Sequence, residues 1–379
     1  MVLTKDEVLA SLETVRSPDG TPLPKTGKLS DIVVSDGKVF FSIAVDAAVV
    51  QAWEPVRGAA EAAVRAVAGV RSAMVALTAE RSAGSAQQAP QAAPAGRGRG
   101  AARAPGGQGG PAAVPGIAAI IAVASGKGGV GKSTTAVNVA LGLRDLGLKV
   151  GLLDADIYGP SVPRLLAIKE QPEMTGGSKL KPIMRYGLAV MSIGFLVEEE
   201  TPMIWRGPMV MSALTQMLFE VEWGELDVMV VDMPPGTGDA QLTIAQQVPL
   251  KGAVIVSTPQ DLALIDARRG IAMFRRVSVP VLGIVENMSY FLCPQCGTRS
   301  DIFGHGGARH EAERLKVPFL GEVPLHMDIR EKSDAGLPVV ATEPEGVHAK
   351  IYRDIAANVR GQLNSNAAIR PAPKIVTEA

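Results

Sequence analysis

The 379-residue sequence predicts an α/β fold, a mostly parallel sheet covered by helices on both faces and preceded by a small α+β domain. Three observations carry this expectation. Short apolar runs at residues 117–124, 149–153, 227–232 and 281–286 read as strands buried on both faces, the habit of parallel sheets. Two of them lead into carboxylates, at the strand ends where open α/β sheets bind ligands. A glycine-rich loop then joins the first run to a segment in which Val137, Leu141 and Leu146 recur at helical spacing.

In chain order, residues 1–82 read as the small domain. A helix is expected over 5–15, strands over 31–34 and 39–45 around a Ser35-Asp36-Gly37 turn, an amphipathic helix over 55–67 and a strand over 73–78. Residues 83–116 are an Ala/Gly/Pro linker, too poor in bulky apolar groups to fold alone, whose Arg97, Arg99 and Arg103 read as solvated charge. Residues 117–363 form the main domain. Residues 364–379, with two prolines, read as a flexible tail.

The loop after the first strand satisfies G-x-x-x-x-G-K-[ST], between the strand and the helix that give this pattern its meaning. Gly126, Gly128, Gly129 and Gly131 let successive N–H groups, with those of Lys127 and Val130, turn toward phosphate oxygens. Lys132 would sit against the β- and γ-phosphates. Ser133 would offer its hydroxyl to Mg²⁺, and Thr134 follows at the positive end of the helix. The expected ligand is ATP with Mg²⁺. Lys127 makes the loop resemble the deviant Walker A signature K-G-G-x-G-K-[ST] of a group of dimeric ATPases. That resemblance implies a lysine that reaches the partner protomer's nucleotide, as an arginine finger does.

The second strand runs into Asp154-Ala155-Asp156, and Asp156 is the candidate for positioning the attacking water. Asp232 ends the third strand and fits the Walker B role of holding Mg²⁺ directly or through water. The loop at 232–239 (DMPPGTGD) has Gly236 and Gly238 as points of freedom and reads as a switch segment.

The chain has two cysteines, in Cys293-Pro294-Gln295-Cys296. The count excludes a disulfide framework and leaves metal or redox chemistry. The pair follows a strand and an expected loop at 287–292, unlike a thioredoxin-type pair at a helix start. Four-iron clusters take four thiolates and one chain supplies two, so a symmetric dimer would complete the set. Zinc is the open alternative, because His305 and His310 give Cys-x2-Cys-x8-His-x4-His.

With these motifs in hand, the sequence resembles the Mrp/ApbC group of iron–sulfur cluster carrier ATPases, within the P-loop NTPases. The resemblance rests on SGKGGVGKST at 125–134, DADIYGPS at 154–161, WRGPM at 205–209, DMPPGTGD at 232–239, ENMS at 286–289 and CPQC at 293–296. IFG at 302–304, FLGEVPL at 319–325 and IREKSDAGLP at 329–338 extend it. It implies slow ATP hydrolysis and a [4Fe–4S] cluster ligated by Cys293 and Cys296 of both protomers of a homodimer. It also implies delivery to apo iron–sulfur proteins, traffic with a cluster-assembly scaffold, and contact of Asn287 with the adenine base. Residues 1–82 resemble the small domain associated with iron–sulfur assembly factors. That domain often carries a cysteine after its second strand, where this chain has Ala47-Ala48-Val49-Val50.

Composition sets outer limits. The formal net charge is zero, which argues against general nucleic-acid binding, and 4% aromatic residues offer no stacking platform for single strands. No apolar run of about 18 residues and no signal peptide is evident, so a soluble cytoplasmic protein is expected, off the membrane. A positioning ATPase of the ParA/MinD type, with a structural zinc at the cysteine pair, is the alternative; the tail lacks the amphipathic helix such proteins use. A nitrogenase-iron-protein-like reductase would need cysteines near the switch loops, and 154–161 and 232–239 contain none.

Overall fold

The computed structural model describes residues 3–30, 32–35, 37–46, 49–70, 72–80, 113–175, 179–195 and 207–369. The chain divides into two compact units, Met1–Ala112 and Ala113–Ala379.

The first unit opens with α1 (Lys5–Leu12), closed at its start by a reciprocal cap. The Thr4 side chain accepts from the Glu7 N–H while the Glu7 carboxylate accepts from the Thr4 N–H at 2.9 Å. Strands β1 (Val33–Ser35) and β2 (Lys38–Asp46) are antiparallel; α2 (Val50–Arg65) then crosses over to β3 (Ser72–Glu80), parallel to β2. Leu12, Phe41, Ile43, Trp53, Val64 and Val75 share one core. Helix α2 starts before Pro55, which the sequence suggested as its first residue. Trp53 and Val56 are both buried, and that burial holds a turn the proline alone would discourage. Asp31, Asp36, Ala47, Ala48 and the expected linker through residue 112 lie outside the described residues, as do Trp205, Arg206 and residues 370–379.

The second unit is built on a nine-stranded sheet. Its elements are β4 (Ile120–Ala124), α3 (Lys132–Asp145), β5 (Val150–Asp154), α4 (Val162–Leu165), β6 (Ile183–Arg185), β7 (Leu188–Ser192), α5 (Gly207–Phe219), β8 (Val228–Asp232) and α6 (Asp239–Gln247). They continue with β9 (Leu250–Ser257), α7 (Asp261–Arg276), β10 (Val281–Leu292), β11 (Arg299–Ser300), α8 (Gly307–Leu315), β12 (Phe319–Leu325), α9 (Met327–Ala335), α10 (Val339–Thr342) and α11 (Val347–Ile369). The order is β11-β10-β9-β4-β8-β5-β7-β6, with β12 also paired to β10. Every pairing is parallel except those of the short strands β6 and β11. Helices cover the sheet on both faces, α3 and α11 as one packed pair and α6, α7 and α8 as another group. Strands β4, β5 and β8 are buried at all positions, as their unbroken apolar sequences require. The chain leaves β4 toward β5 on one side and returns to β9 on the other. The crevice at the carboxyl end of β4 is therefore the topological switch point.

Two expectations are corrected. Residues 287–292 are not a loop: they prolong β10, because Phe291 and Leu292 pair with β11 and Phe291 also pairs with β12. Residues 364–369 are not tail: α11 runs to Ile369, and the sequence's next helix stop is Pro371.

Helix α3 meets α11 at Gly142. A Cβ there would lie 2.8 Å from Ala356 Cβ and 3.2 Å from Tyr352 O, in a contact that buries Tyr352, Ala356 and Val359. Gly142→Leu should lower stability by about 1–3 kcal/mol through overpacking. A denaturant titration reads it, and an unchanged midpoint would refute the close approach of the two helices.

Candidate active site

The phosphate-type loop lies between β4 and α3. Gly129 and Gly131 have φ of +79° and +81°, the left-handed region that favours glycine, and Gly131 caps α3. Lys132 is buried. Its Nζ donates to Asp232 Oδ1 at 2.6 Å and to Ser133 Oγ at 3.1 Å, and lies 3.8 Å from Asp156 Oδ2. Ser161 Oγ donates to Ser133 Oγ at 3.1 Å. Around them is a cavity of about 260 Å³ whose lining includes Ser125, Lys127, Lys132, Ser133, Asp156 and Ser161.

Asp232 is fully buried, and its second oxygen, Oδ2, has no hydrogen-bond partner. A buried carboxylate oxygen left unpaired is costly, and a hard divalent cation or its water is the kind of group that satisfies one. Ser133 and Asp232, both within reach of Lys132 Nζ, are thus the pair that could hold Mg²⁺.

Asp154 is also fully buried, but it is fully engaged. It accepts from Asp156 N at 3.1 Å, Val162 N at 3.1 Å and Ser192 Oγ at 3.0 Å, so it shapes the turn that aims Asp156. Burial, reinforced by the charge of Asp232, pushes Asp154 up to about 7. Burial likewise lifts Asp156 to about 6, against the opposing pull of Lys132.

The segment after Asp232 is tied to the loop. Gly236 N donates to Ser125 O at 3.0 Å, and Gln241 of α6 donates from Nε2 to Pro234 O at 2.7 Å and Ser125 O at 3.3 Å. Sequence reasoning missed Gln241. Its signal was a glutamine one turn into the helix that follows the switch glycines. Asn287 is buried on β10, and its Nδ2 donates to Val130 O at 2.8 Å. The structure thus places the residue expected at the adenine base directly against the phosphate loop. Lys127 is half-buried, and among the described residues its ammonium has no ion-pair partner.

Cys293 and Cys296 are free thiols in the turn joining β10 to β11. Cys293 N donates to Thr298 O at 3.0 Å and Gly297 N to Cys293 O at 2.8 Å, which closes a tight knuckle. Cys293 is half-buried and Cys296 exposed. The Thr298 hydroxyl and backbone beside Cys296, with the Cys293 thiol, hold the Cys296 thiol below its usual range, toward thiolate.

Among the described residues, the histidines of the zinc alternative form no group of three ligands with the two cysteines. His305 Nδ1 lies 2.8 Å from an Arg299 nitrogen. Among the described residues, the one group of three potential ligands within 4.8 Å is His326, Asp328 and His348. There His326 Nδ1 is engaged as the α9 cap, accepting from Asp328 N at 3.2 Å, and the two rings sit 4.4 Å apart.

A family model described as NUBPL iron-transfer P-loop NTPase matches residues 116–360. The chain belongs to this family. A second model, described as iron-sulfur cluster assembly protein, matches residues 5–76. Among members and relatives, the mouse iron-sulfur cluster transfer protein NUBPL is 55% identical over 252 residues, 66% of this chain and 79% of that one. The iron-sulfur cluster carrier protein of Escherichia coli K12 is 55% identical over 253 residues, 66% of this chain and 69% of its own. A solved nucleotide-binding protein from Archaeoglobus fulgidus, in complex with ADP and with cobalt found, superposes with a TM-score of 0.55 at 40% identity. It covers 62% of this chain and 92% of its own. The fold described above is therefore that of the iron-transfer P-loop NTPases, a family of ATPases.

Because Asp154 and Asp156 titrate above the unfolded carboxylate value of 3.8, the folded chain binds more protons and loses stability as pH rises from about 4 to about 7. A bound cation favours the ionised forms. Mg–ADP should therefore bind more weakly as pH falls from 8 to 5, with proton release on binding. Calorimetry in two buffers of different ionisation enthalpy measures the release. Asp156→Asn should remove the part centred near pH 6, and pH-independent binding would contradict the assignment.

Proposed function

We propose that this chain is an ATP-hydrolysing iron–sulfur cluster carrier. It holds a [4Fe–4S] cluster between two identical protomers and hands it to apo iron–sulfur proteins. The observation that carries the reading is the pair of accessible thiols in a closed turn, in a chain 55% identical to proteins named as cluster carriers. The cluster is cargo, so its ligands belong at the surface.

In this mechanism Lys132 leaves Asp232 for the β- and γ-phosphates, while N–H groups from Gly126 to Thr134 cradle the remaining oxygens. Ser133 and Asp232 would hold Mg²⁺, which would supply charge neutralisation at the transferring phosphoryl group. Asp156 orients the attacking water, and Lys127 of each protomer reaches the other's nucleotide. Loss of the γ-phosphate shifts residues 232–239, which Gly236 and Gln241 tie to Ser125. Cys293 and Cys296 give two sulfurs per chain, and a two-fold axis between the turns gives four. Work in the cytoplasm, receipt of clusters from an assembly scaffold and independence from nucleic acid belong to the same proposal. Among the described residues no helix is long and apolar enough to cross a membrane.

Anaerobic reconstitution with iron, sulfide and zinc analysis tests it. Cys293→Ala and Cys296→Ala should each abolish cluster uptake while nucleotide affinity stays within about twofold. Iron retained by a strictly monomeric holo-protein would remove the shared-cluster proposal. In the nucleotide site, Lys132→Ala should weaken ATP binding by roughly 10- to 100-fold, the worth of a charge-assisted hydrogen bond. Lys127→Ala should leave binding intact and slow hydrolysis by at least about tenfold. Unimpaired turnover in Lys127→Ala would exclude its action across the interface.

A further inference from the structure

We infer that Asn287 is a positioning residue that couples the phosphate loop to the cysteine turn through β10, so that nucleotide occupancy sets how Cys293 and Cys296 are presented. The inference deepens the carrier reading and rests on it.

Strand β10 touches the loop at Asn287 and ends one residue before Cys293. The contact has no slack: Asn287 Nδ2 donates to Val130 O at 2.8 Å, and a Cβ on Gly131 would collide with the same amide. A nucleotide that reorients the loop's N–H groups toward its phosphates must move, or pull against, the carbonyl that this amide holds.

Beyond Asn287 the strand is irregular in a way that can relay such a pull. Met288 has φ of +54°, a conformation unfavourable for a residue with a side chain, and the register with β12 shifts between Asn287 and Phe291. The bulge is pinned by Ser289. Its Oγ donates to Glu286 Oε1 at 2.5 Å and lies 3.0 Å from Glu322 Oε2, while Glu286 Oε2 accepts from Ala308 N at 2.6 Å. Regular pairing then resumes, Phe291 with Leu325 and Ser300 and Leu292 with Arg299. Those rungs frame the knuckle that Cys293 N closes on Thr298 O. A shift at Asn287 therefore reaches the thiols through six residues of one strand, anchored on both sides. Coupling of this kind is reciprocal: whatever nucleotide does to cluster affinity, the cluster does to nucleotide affinity.

The test is alkylation of the two thiols by iodoacetamide in the full-length, cluster-free protein, followed by mass spectrometry with and without saturating Mg–ADP. Nucleotide should change the wild-type rate by at least about fivefold. Asn287→Ala, with loading verified by calorimetry, should lose most of that response. Ser289→Ala, which touches no atom of the nucleotide site, should bind Mg–ADP normally and respond less. A wild-type rate indifferent to nucleotide, or a full response in loaded Asn287→Ala, overturns the inference. If Asn287→Ala does not fold or load, a full response in Ser289→Ala overturns it alone. Failure here is distinct from failure of the carrier reading: wild type that takes up cluster yet shows no response sinks only the coupling, whereas wild type that takes up none sinks the carrier.

Discussion

Lys132 is one buried cation among three buried carboxylates, and the site is organised by that imbalance. Asp232 holds the ammonium at 2.6 Å and Asp156 approaches it at 3.8 Å, while Asp154, fully buried, leans toward its neutral form beside them. Removing one partner of a buried ion pair costs on the order of 3–5 kcal/mol, because the other charge is stranded. A triphosphate that draws Lys132 away strands Asp232 in this way unless another cation arrives. The partnerless Oδ2 of Asp232 shows where that cation is wanted. On the proposed mechanism, nucleotide and Mg²⁺ enter as one unit because neither alone leaves the charges matched.

The parts of this arrangement legible in the sequence are those in which chemistry fixes local spacing. The loop from Gly126 to Thr134 must place its glycines, lysine and hydroxyl within a few residues of one another, and strands buried on both faces have little choice but unbroken apolar runs. What could not be read depends on contacts distant in sequence. Asn287 meets Val130 across 157 residues, and Gln241 meets Ser125 across 116. Neither residue type announces such a partner. The extension of β10 past Glu286 was hidden for the same reason: Asn-Met-Ser-Tyr looks like a loop until β11 and β12 supply the pairing. In the first unit, Pro55 concealed the start of α2 because burial of Trp53 outweighs a local preference.

The cysteine turn has a different character from the nucleotide site. A structural zinc centre closes its coordination within one chain and gains folding energy from doing so. Here Cys296 is exposed and the nearby histidine is engaged with Arg299. The turn is nonetheless well held, by two backbone hydrogen bonds and by Thr298, which also draws the Cys296 thiol toward the form that binds iron. A well-held and accessible pair of thiols, one of them drawn toward thiolate, is suited to gripping something that must later leave.

On the proposed reading, shared ligation would make that departure possible. If each chain gives two sulfurs, as proposed, neither protomer would satisfy a four-iron cluster alone, and any step that parts the protomers would leave the cluster half-ligated and open to thiolates of a recipient. On the same proposal the nucleotide site would govern such a step, because a Lys127 that reaches the partner's nucleotide would make nucleotide binding favour the closed pair. ATP would then stabilise the state in which four sulfurs converge, and its hydrolysis would remove the γ-phosphate proposed to face both lysines.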